Sequence, residues 1–306
     1  MCRLMPPEAG QTSKTNGMTE QPPIRNISFI GLGLIGMSLL RAIKLSPLSR
    51  ESKIFFQGFD PCFTDSDRTT VEALGLDRFT AEKSLLYSAD LIILSAPVEI
   101  NIALLEEIKQ FAPPSTLVSD VSSTKSLIAR KARELELNFI GMHPMAGKEQ
   151  QGYRESHEEL LHGRRVILCD DKGVLEEPKG RFLIALLESA GCTTLSMNAE
   201  EHDLVVAKTS HLPQLLSTLL MNHCGDSISK TGPGFATLAR LAGSPWQIWR
   251  DIIATNSDNI AAELDRFAVE LTALSEEVRS LNLEQLESRF DEANRLYQTL
   301  KEMNRS

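Results

Sequence analysis

Several features are missing from this 306-residue chain, and each absence narrows the field. No apolar run approaches the ~18 residues of a membrane span. There is no basic excess: the formal charge of −9 leaves nothing to displace the counterions of a nucleic acid, although a local basic pocket for an acidic small molecule remains compatible with it. The five cysteines (Cys2, Cys62, Cys169, Cys192, Cys224) include no C-x-x-C pair and no histidine at zinc-like spacing. That pattern argues against a structural metal and for a reducing compartment. There is no internal repeat. Residues 1–23 are rich in Pro, Gly, Thr, Ser and Gln without the apolar core of a secretory signal, so they read as a disordered leader. These features together point to a cytoplasmic protein that binds neither nucleic acid nor membrane.

What is present is a change of pattern partway along the chain. Seven strand-like segments alternate with helical ones: Ile24–Ile30, Lys53–Phe59, Ala89–Ser95, Thr116–Val121, Asn138–Met142, Arg165–Cys169 and Thr193–Met197. The helical segments between them include Val71–Leu74, Asn101–Phe111, Ser126–Glu134 and Gly180–Ser189. Alternation of this kind is the signature of an α/β, Rossmann-like doubly wound sheet. After Asn198 the strand signals stop. Glu200–Cys224 reads as a helical run broken around Pro213, and Pro245–Ser280 and Leu283–Met303 as two long helices. The expected division is therefore a nucleotide-binding domain over 24–198 and an all-helical substrate and dimerisation domain over 199–306. Ile253, Ile260, Leu264, Phe267, Leu271, Leu274 and Val278 recur at helical spacing, as do Leu286, Phe290, Ala293, Leu296 and Leu300. Those stripes are either the core of one subunit or a surface that meets a second copy. Asn282 and Gln285 resemble a capping box between the two helices.

The first expected strand runs into Gly31-Leu32-Gly33-Leu34-Ile35-Gly36 and a helix. A lone G-x-G-x-x-G is weak evidence, but here a strand precedes it, a helix follows, and Asp60 ends the next strand 24 positions after Gly36. Gly31 permits the tight turn, Gly33 the approach of a pyrophosphate, and Gly36 close helix–strand packing. The N–H groups around Leu34 and Ile35 face the phosphates. Asp60 is placed to accept from the ribose hydroxyls and to repel a 2′-phosphate, which favours NAD over NADP. Its alternative role is a turn-forming Asp-Pro. Ser95-Ala96-Pro97 is expected to line the same crevice.

The chemistry-bearing candidates cluster at strand ends. His143 stands in Gly141-Met142-His143-Pro144-Met145-Ala146-Gly147, where an apolar run stops at an imidazole suited to remove a hydroxyl proton. A half-buried structural histidine is the alternative. Ser123, in Asp120-Val121-Ser122-Ser123-Thr124-Lys125, is either a neighbour of His143 at the crevice or a helix N-cap. In the helical segment, Ser210, His211 and Gln214 interrupt an apolar pattern. Arg240 lies among apolar residues and needs a carboxylate partner from the protein or a ligand. Trp249 fits a core position as well as a ligand contact.

In order along the chain, Gly31-Leu-Gly-Leu-Ile-Gly36, Asp120-x-x-Ser123-x-Lys125, Gly141-Met-His143-Pro-Met-Ala-Gly147-Lys-Glu149, Ser210-His-Leu-Pro213, and Arg240 nine residues before Trp249 resemble the prephenate/arogenate dehydrogenase family of tyrosine biosynthesis. The resemblance spans roughly residues 24–303. It implies an oxidative decarboxylation in which hydride leaves C4 of a cyclohexadienol for nicotinamide, CO2 leaves C1, and the ring becomes aromatic. It implies His143 as the base for the C4 hydroxyl and Ser123 as the residue orienting both His143 and the nicotinamide. Arg240 would grip a substrate carboxylate, with Glu149, Ser210, His211 and Trp249 around the pocket. Relatives commonly carry histidine where this chain has Gln214, which bears on the choice between prephenate, a keto acid, and arogenate, an amino acid. Two other readings fit less well. A β-hydroxyacid dehydrogenase resembles its family in a Lys-x-x-Asn motif, whereas Lys208 is followed by His211. A non-enzymatic NAD-responsive binding protein has no need of Ser123, His143 and Arg240 together.

Overall fold

The computed structural model describes residues 21–148 and 150–303. The reading of residues 1–23 as a leader falls almost wholly outside them, as does Glu149. Eight strands form one sheet: β1 (Asn26–Ile30), β2 (Phe55–Phe59), β3 (Arg78–Phe79), β4 (Leu91–Leu94), β5 (Leu117–Asp120), β6 (Asn138–Pro144), β7 (Arg165–Cys169) and β8 (Thr193–Met197), in the order β3-β2-β1-β4-β5-β6-β7-β8. The first six in that order are parallel, β7 is antiparallel to β6, and β8 is parallel to β7. Strand order reverses between β1 and β4, and the crevice at such a reversal is where ligands bind in doubly wound sheets.

Helices cover both faces: α1 (Leu34–Leu45), α2 (Pro47–Ser52), α3 (Asp65–Ala73), α4 (Lys83–Leu86), α5 (Val98–Phe111), α6 (Ser126–Glu134) and α7 (Pro178–Ser189). The central strands are apolar on both sides, as buried parallel strands must be. Ile27, Phe29, Leu91 and Ile93 enter one core with Met37, Leu40 and Leu183. Ile30, Ile92, Leu94 and Val118 enter the other with Leu105, Ile108 and Ile128.

Four local features differ from the sequence reading, each for a physical reason. β3 is two residues long, too short for any periodicity. The helix expected over Val71–Leu74 begins at Asp65, because Thr64 and Asp67 form a reciprocal capping box ahead of a mostly polar first turn. β6 runs through His143 to Pro144. Its pairing with β7 continues after β5 has ended, and the next donor toward β7 is the Met145 N–H to the Arg165 carbonyl, so the missing proline N–H leaves no gap. The single helix expected from Pro245 divides at Asn256 into α11 (Trp246–Thr255) and α12 (Ser257–Arg279), after α8 (Ala199–Val206), α9 (Leu212–His223) and α10 (Pro233–Ala239). Asn256 leaves the helical region and its amide donates to the Asp203 carbonyl at 2.9 Å.

The last helix, α13 (Leu283–Met303), has no buried residue, and α12 buries only Ile260. Of the proposed capping box, the forward half is present: the Gln285 N–H donates to the Asn282 side chain at 3.2 Å. The apolar stripe stays exposed, including Leu271, Val278, Phe290, Leu296 and Leu300. It does not serve as the core of one subunit.

Candidate active site

The glycine turn between β1 and α1 is packed on two sides and open on the third. Gly31 has φ +90°, and a Cβ there would meet the Ala96 nitrogen at 2.6 Å. A Cβ on Gly36 would lie 2.5 Å from Ser95 Oγ and 2.6 Å from the Gly31 carbonyl. At Gly33 a Cβ would meet, among the described residues and apart from its own chain neighbours, nothing within 4 Å, so that position faces open space at the start of α1. Backbone that is immobilised behind and bare in front suits close approach by a phosphate.

Asp60, just past β2, accepts from the Leu32 N–H (2.9 Å) and the Cys62 N–H (3.0 Å). Its carboxylate is thus anchored to the glycine turn. A cavity of about 540 Å³ opens beside it, bordered by Gly31, Gly33, Asp60, Ser95, Ala96 and Pro97. Asn101, which the sequence reading did not single out, is fully buried and ties two strand-end loops together. Its amide donates to the Ala96 carbonyl (2.8 Å) and Ser122 Oγ (3.0 Å), and its carbonyl accepts from the Ala96 N–H (3.2 Å).

His143 projects past the end of β5, because only β7 continues alongside it. Beneath it Lys125 and Asp120 form a fully buried ion pair. Gly141 makes room for the lysine stem, since a Cβ there would sit 2.7 Å from Lys125 Cδ. This is a physical reason for glycine two residues before the histidine. Asp120 also accepts from the Ser122 N–H at 2.9 Å.

The ring of His143 is held by a residue the sequence reading missed. His143 Nδ1 is 2.9 Å from His202 Nε2, and His202 Nδ1 is 2.8 Å from Asp203 Oδ1. Asp203 also accepts from the Lys125 and Ser126 N–H groups, both at 2.8 Å. His202 and Asp203 are fully buried. The available signal was helical spacing: Ala199, His202, Asp203 and Val206 are the buried residues of α8. Ser123 is partly buried in the loop before α6, is not that helix's N-cap, and makes no hydrogen bond to His143 among the described residues. Burial, then the neighbouring His202, Lys125 and His211, hold the His143 pKa well below the usual imidazole range.

His211 reaches the same cluster from a widened, π-helical turn over Ala207–His211 that joins α8 to α9. Pro213 has no N–H to continue an α-helical ladder, and such bulges often accompany functional sites. Ser210 lies in the same turn, partly buried. The His211 ring meets Trp249 edge-on at 5.8 Å, and Asn256 lies 3.3 Å from its Nδ1. Burial lowers the His211 pKa to about 4. Gln214 is buried and committed to the protein: it donates to the Leu241 carbonyl (2.7 Å) and accepts from Ser244 Oγ (3.1 Å). It thereby braces the turn that carries the exposed Arg240.

A phosphate-ready turn, an acid at the second strand and an imidazole at the lip of the crevice define a dinucleotide-binding dehydrogenase of the Rossmann type followed by helices. Residues 62–192 match the family model for the prephenate dehydrogenase nucleotide-binding domain, and 198–292 that for its dimerization domain. The chain belongs to the prephenate dehydrogenase family. It is 26% identical over 295 residues to the prephenate dehydrogenase of Lactococcus lactis subsp. cremoris, covering 90% of this chain and 78% of that one. Among solved structures it is similar to prephenate dehydrogenase from A. aeolicus in complex with hydroxyphenyl propionate and NAD+, with a TM-score of 0.79, 25% identity, and 89% and 96% of the two chains covered. Arogenate dehydrogenase from Synechocystis gives a TM-score of 0.76 at 25% identity, over 88% and 97%.

Proposed function

We propose that this protein is an NAD-dependent prephenate dehydrogenase, converting prephenate to 4-hydroxyphenylpyruvate and CO2 in tyrosine biosynthesis. The observation that carries the reading is the position of His143, held neutral at the lip of β6 beside an open dinucleotide turn. NAD supplies the hydride acceptor. In this reading His143 takes the proton from the C4 hydroxyl as that carbon loses hydride. Loss of CO2 from C1 then completes an aromatic ring, and that gain drives the step.

The glycines 31, 33 and 36, the Leu34 and Ile35 turn, Asp60, and Ser95-Ala96-Pro97 hold the cofactor. Ser123, close to the same crevice, orients the nicotinamide end. Arg240 pairs with a substrate carboxylate, while Ser210, His211 and Trp249 surround the ring. Gln214 acts mainly through the Arg240 turn. Because its neutral amide is bonded to Leu241 and Ser244, it offers no cation to the substrate side chain. That observation supports arogenate as the second reading, since its ammonium would meet no like charge at position 214.

The exposed apolar stripes of α12 and α13, with the dimerization-domain match, support a homodimer through the helical segment. A cytoplasmic location fits the scattered cysteines. No helix among the described residues is long and apolar enough to cross a membrane. The test is a side-by-side assay of reduced cofactor formed from prephenate and from arogenate, each with NAD and NADP. Highest kcat/KM with prephenate and NAD is expected. A preference for arogenate would move the assignment to the second reading.

A further inference from the structure

We propose that His202 and Asp203 are positioning residues that fix the tautomer of His143, so that Nε2 of His143 is the basic nitrogen. The inference deepens the reading of His143 as the base and rests on it.

A carboxylate can only accept, and Asp203 Oδ1 lies 2.8 Å from His202 Nδ1. The proton of His202 is therefore on Nδ1. When His202 carries that one N–H, its Nε2 is a bare lone pair. That lone pair lies 2.9 Å from His143 Nδ1, which must then carry the proton. Neutral His143 is left with an unprotonated Nε2.

Asp203 is well equipped to stay ionised at the root of this chain. Two backbone N–H groups and the imidazole donate to it, and these donors hold its pKa below the usual carboxylate value in spite of burial. The same backbone donors come from the residues that open α6, so the loop carrying Ser123 and the base are fastened to one carboxylate. The other charged and titratable groups that act on the His143 ring are Lys125, paired with Asp120, and His211.

The device also has somewhere to put charge. When the substrate hydroxyl proton arrives at Nε2, His143 becomes an imidazolium whose Nδ1–H already points at His202. The positive charge can pass along that bond to His202, whose own N–H faces the Asp203 carboxylate. The pair then holds one proton more than at rest, and with it one positive charge facing the Asp203 carboxylate. The proton count is that of the substrate hydroxyl, delivered to His143 and later released to solvent. Removing His202 leaves both tautomers of His143 open and the imidazolium without its acceptor.

The experiment combines spectroscopy with kinetics. In 15N-histidine-labelled wild-type protein, His143 should show a protonated Nδ1 and a bare Nε2. A merely structural contact would not require that tautomer. His202→Leu should lower kcat about 100-fold, within the range that a positioned general base contributes, with KM and NAD affinity within about threefold. His202→Gln keeps an amide oxygen for His143 and an N–H for Asp203, and should recover about tenfold of that loss. A protonated His143 Nε2 in the wild type overturns the proposal. So does a His202→Leu enzyme with kcat within about threefold of wild type, or a His202→Gln enzyme no better than His202→Leu. His143→Asn, run alongside, separates the two claims. Loss of turnover there with full turnover in His202→Leu overturns the positioning role alone, whereas retained turnover in His143→Asn overturns the base assignment beneath it.

Discussion

Gly33→Ala and Gly36→Ala make a matched pair that separates cofactor contact from packing. At Gly33 the backbone is extended (φ −74°, ψ −162°), a conformation alanine adopts freely, and among the described residues the added methyl meets nothing beyond its chain neighbours within 4 Å. The fold should tolerate it within about 1 kcal/mol, the balance between a poorer helix N-cap and a less flexible unfolded chain. The methyl would instead stand where a pyrophosphate must approach. NAD should bind about 10- to 100-fold more weakly, a loss of about 1.4–2.7 kcal/mol. At Gly36 the methyl would press on Ser95 Oγ at 2.5 Å and the Gly31 carbonyl at 2.6 Å. Overpacking of that kind costs about 1–3 kcal/mol, a fall in Tm of roughly 2–10 °C for a chain of this size. Calorimetric titration with NAD and thermal melts of both variants read the two effects separately. An unchanged NAD affinity in Gly33→Ala, or equal losses of Tm in the two, would refute the assignment of the turn.

Arg240→Gln should raise KM for prephenate about tenfold or more while changing kcat little; an unchanged KM in steady-state assays counts against a carboxylate grip. Asp60→Ala removes the charge opposing a 2′-phosphate and should raise the NADP-to-NAD ratio of kcat/KM about tenfold, and a constant ratio would contradict the ribose role. Phe290→Asp places a charge on the exposed stripe of α13 and should shift the mass at micromolar concentration from dimer to monomer in light scattering, whereas a monomeric wild type would remove the premise. His211 is kept neutral when folded down to about pH 4, but the unfolded chain protonates it near pH 6.5. Acidification through that window therefore favours unfolding, by up to about 1.4 kcal/mol per pH unit from this residue. Urea melts between about pH 5 and pH 7.5 should show a shallower dependence in His211→Asn, and equal slopes would contradict it.

The elements that position the site were legible because their signals are local. Apolar runs between turns marked β1, β2 and β4 to β8, and the glycine turn with Asp60 marked the cofactor crevice. What stayed hidden depends on contacts distant in sequence. His202 sits in Asn198-Ala-Glu-Glu-His-Asp203, which reads as the solvated start of a capped helix, and its partner His143 is 59 residues away. Asn101 looks like one polar residue in an amphipathic helix until the loops it joins are folded beside it. From sequence Gln214 reads only as a missing charge toward substrate; its bonds to Leu241 and Ser244, 27 and 30 residues further along the chain, also brace the turn that carries Arg240. The break at Asn256 follows from a side chain that bonds the Asp203 carbonyl, and no local propensity announces it.

The central claim is that His143 is the base in an NAD-dependent dehydrogenation of prephenate. NADH formation from prephenate by wild-type protein and by His143→Asn, at matched NAD saturation confirmed by direct binding, tests it most directly. The account predicts steady NADH production by the wild type and a loss of at least about 100-fold in the variant with NAD affinity preserved. Comparable turnover by the two proteins, or none by the wild type, would contradict it.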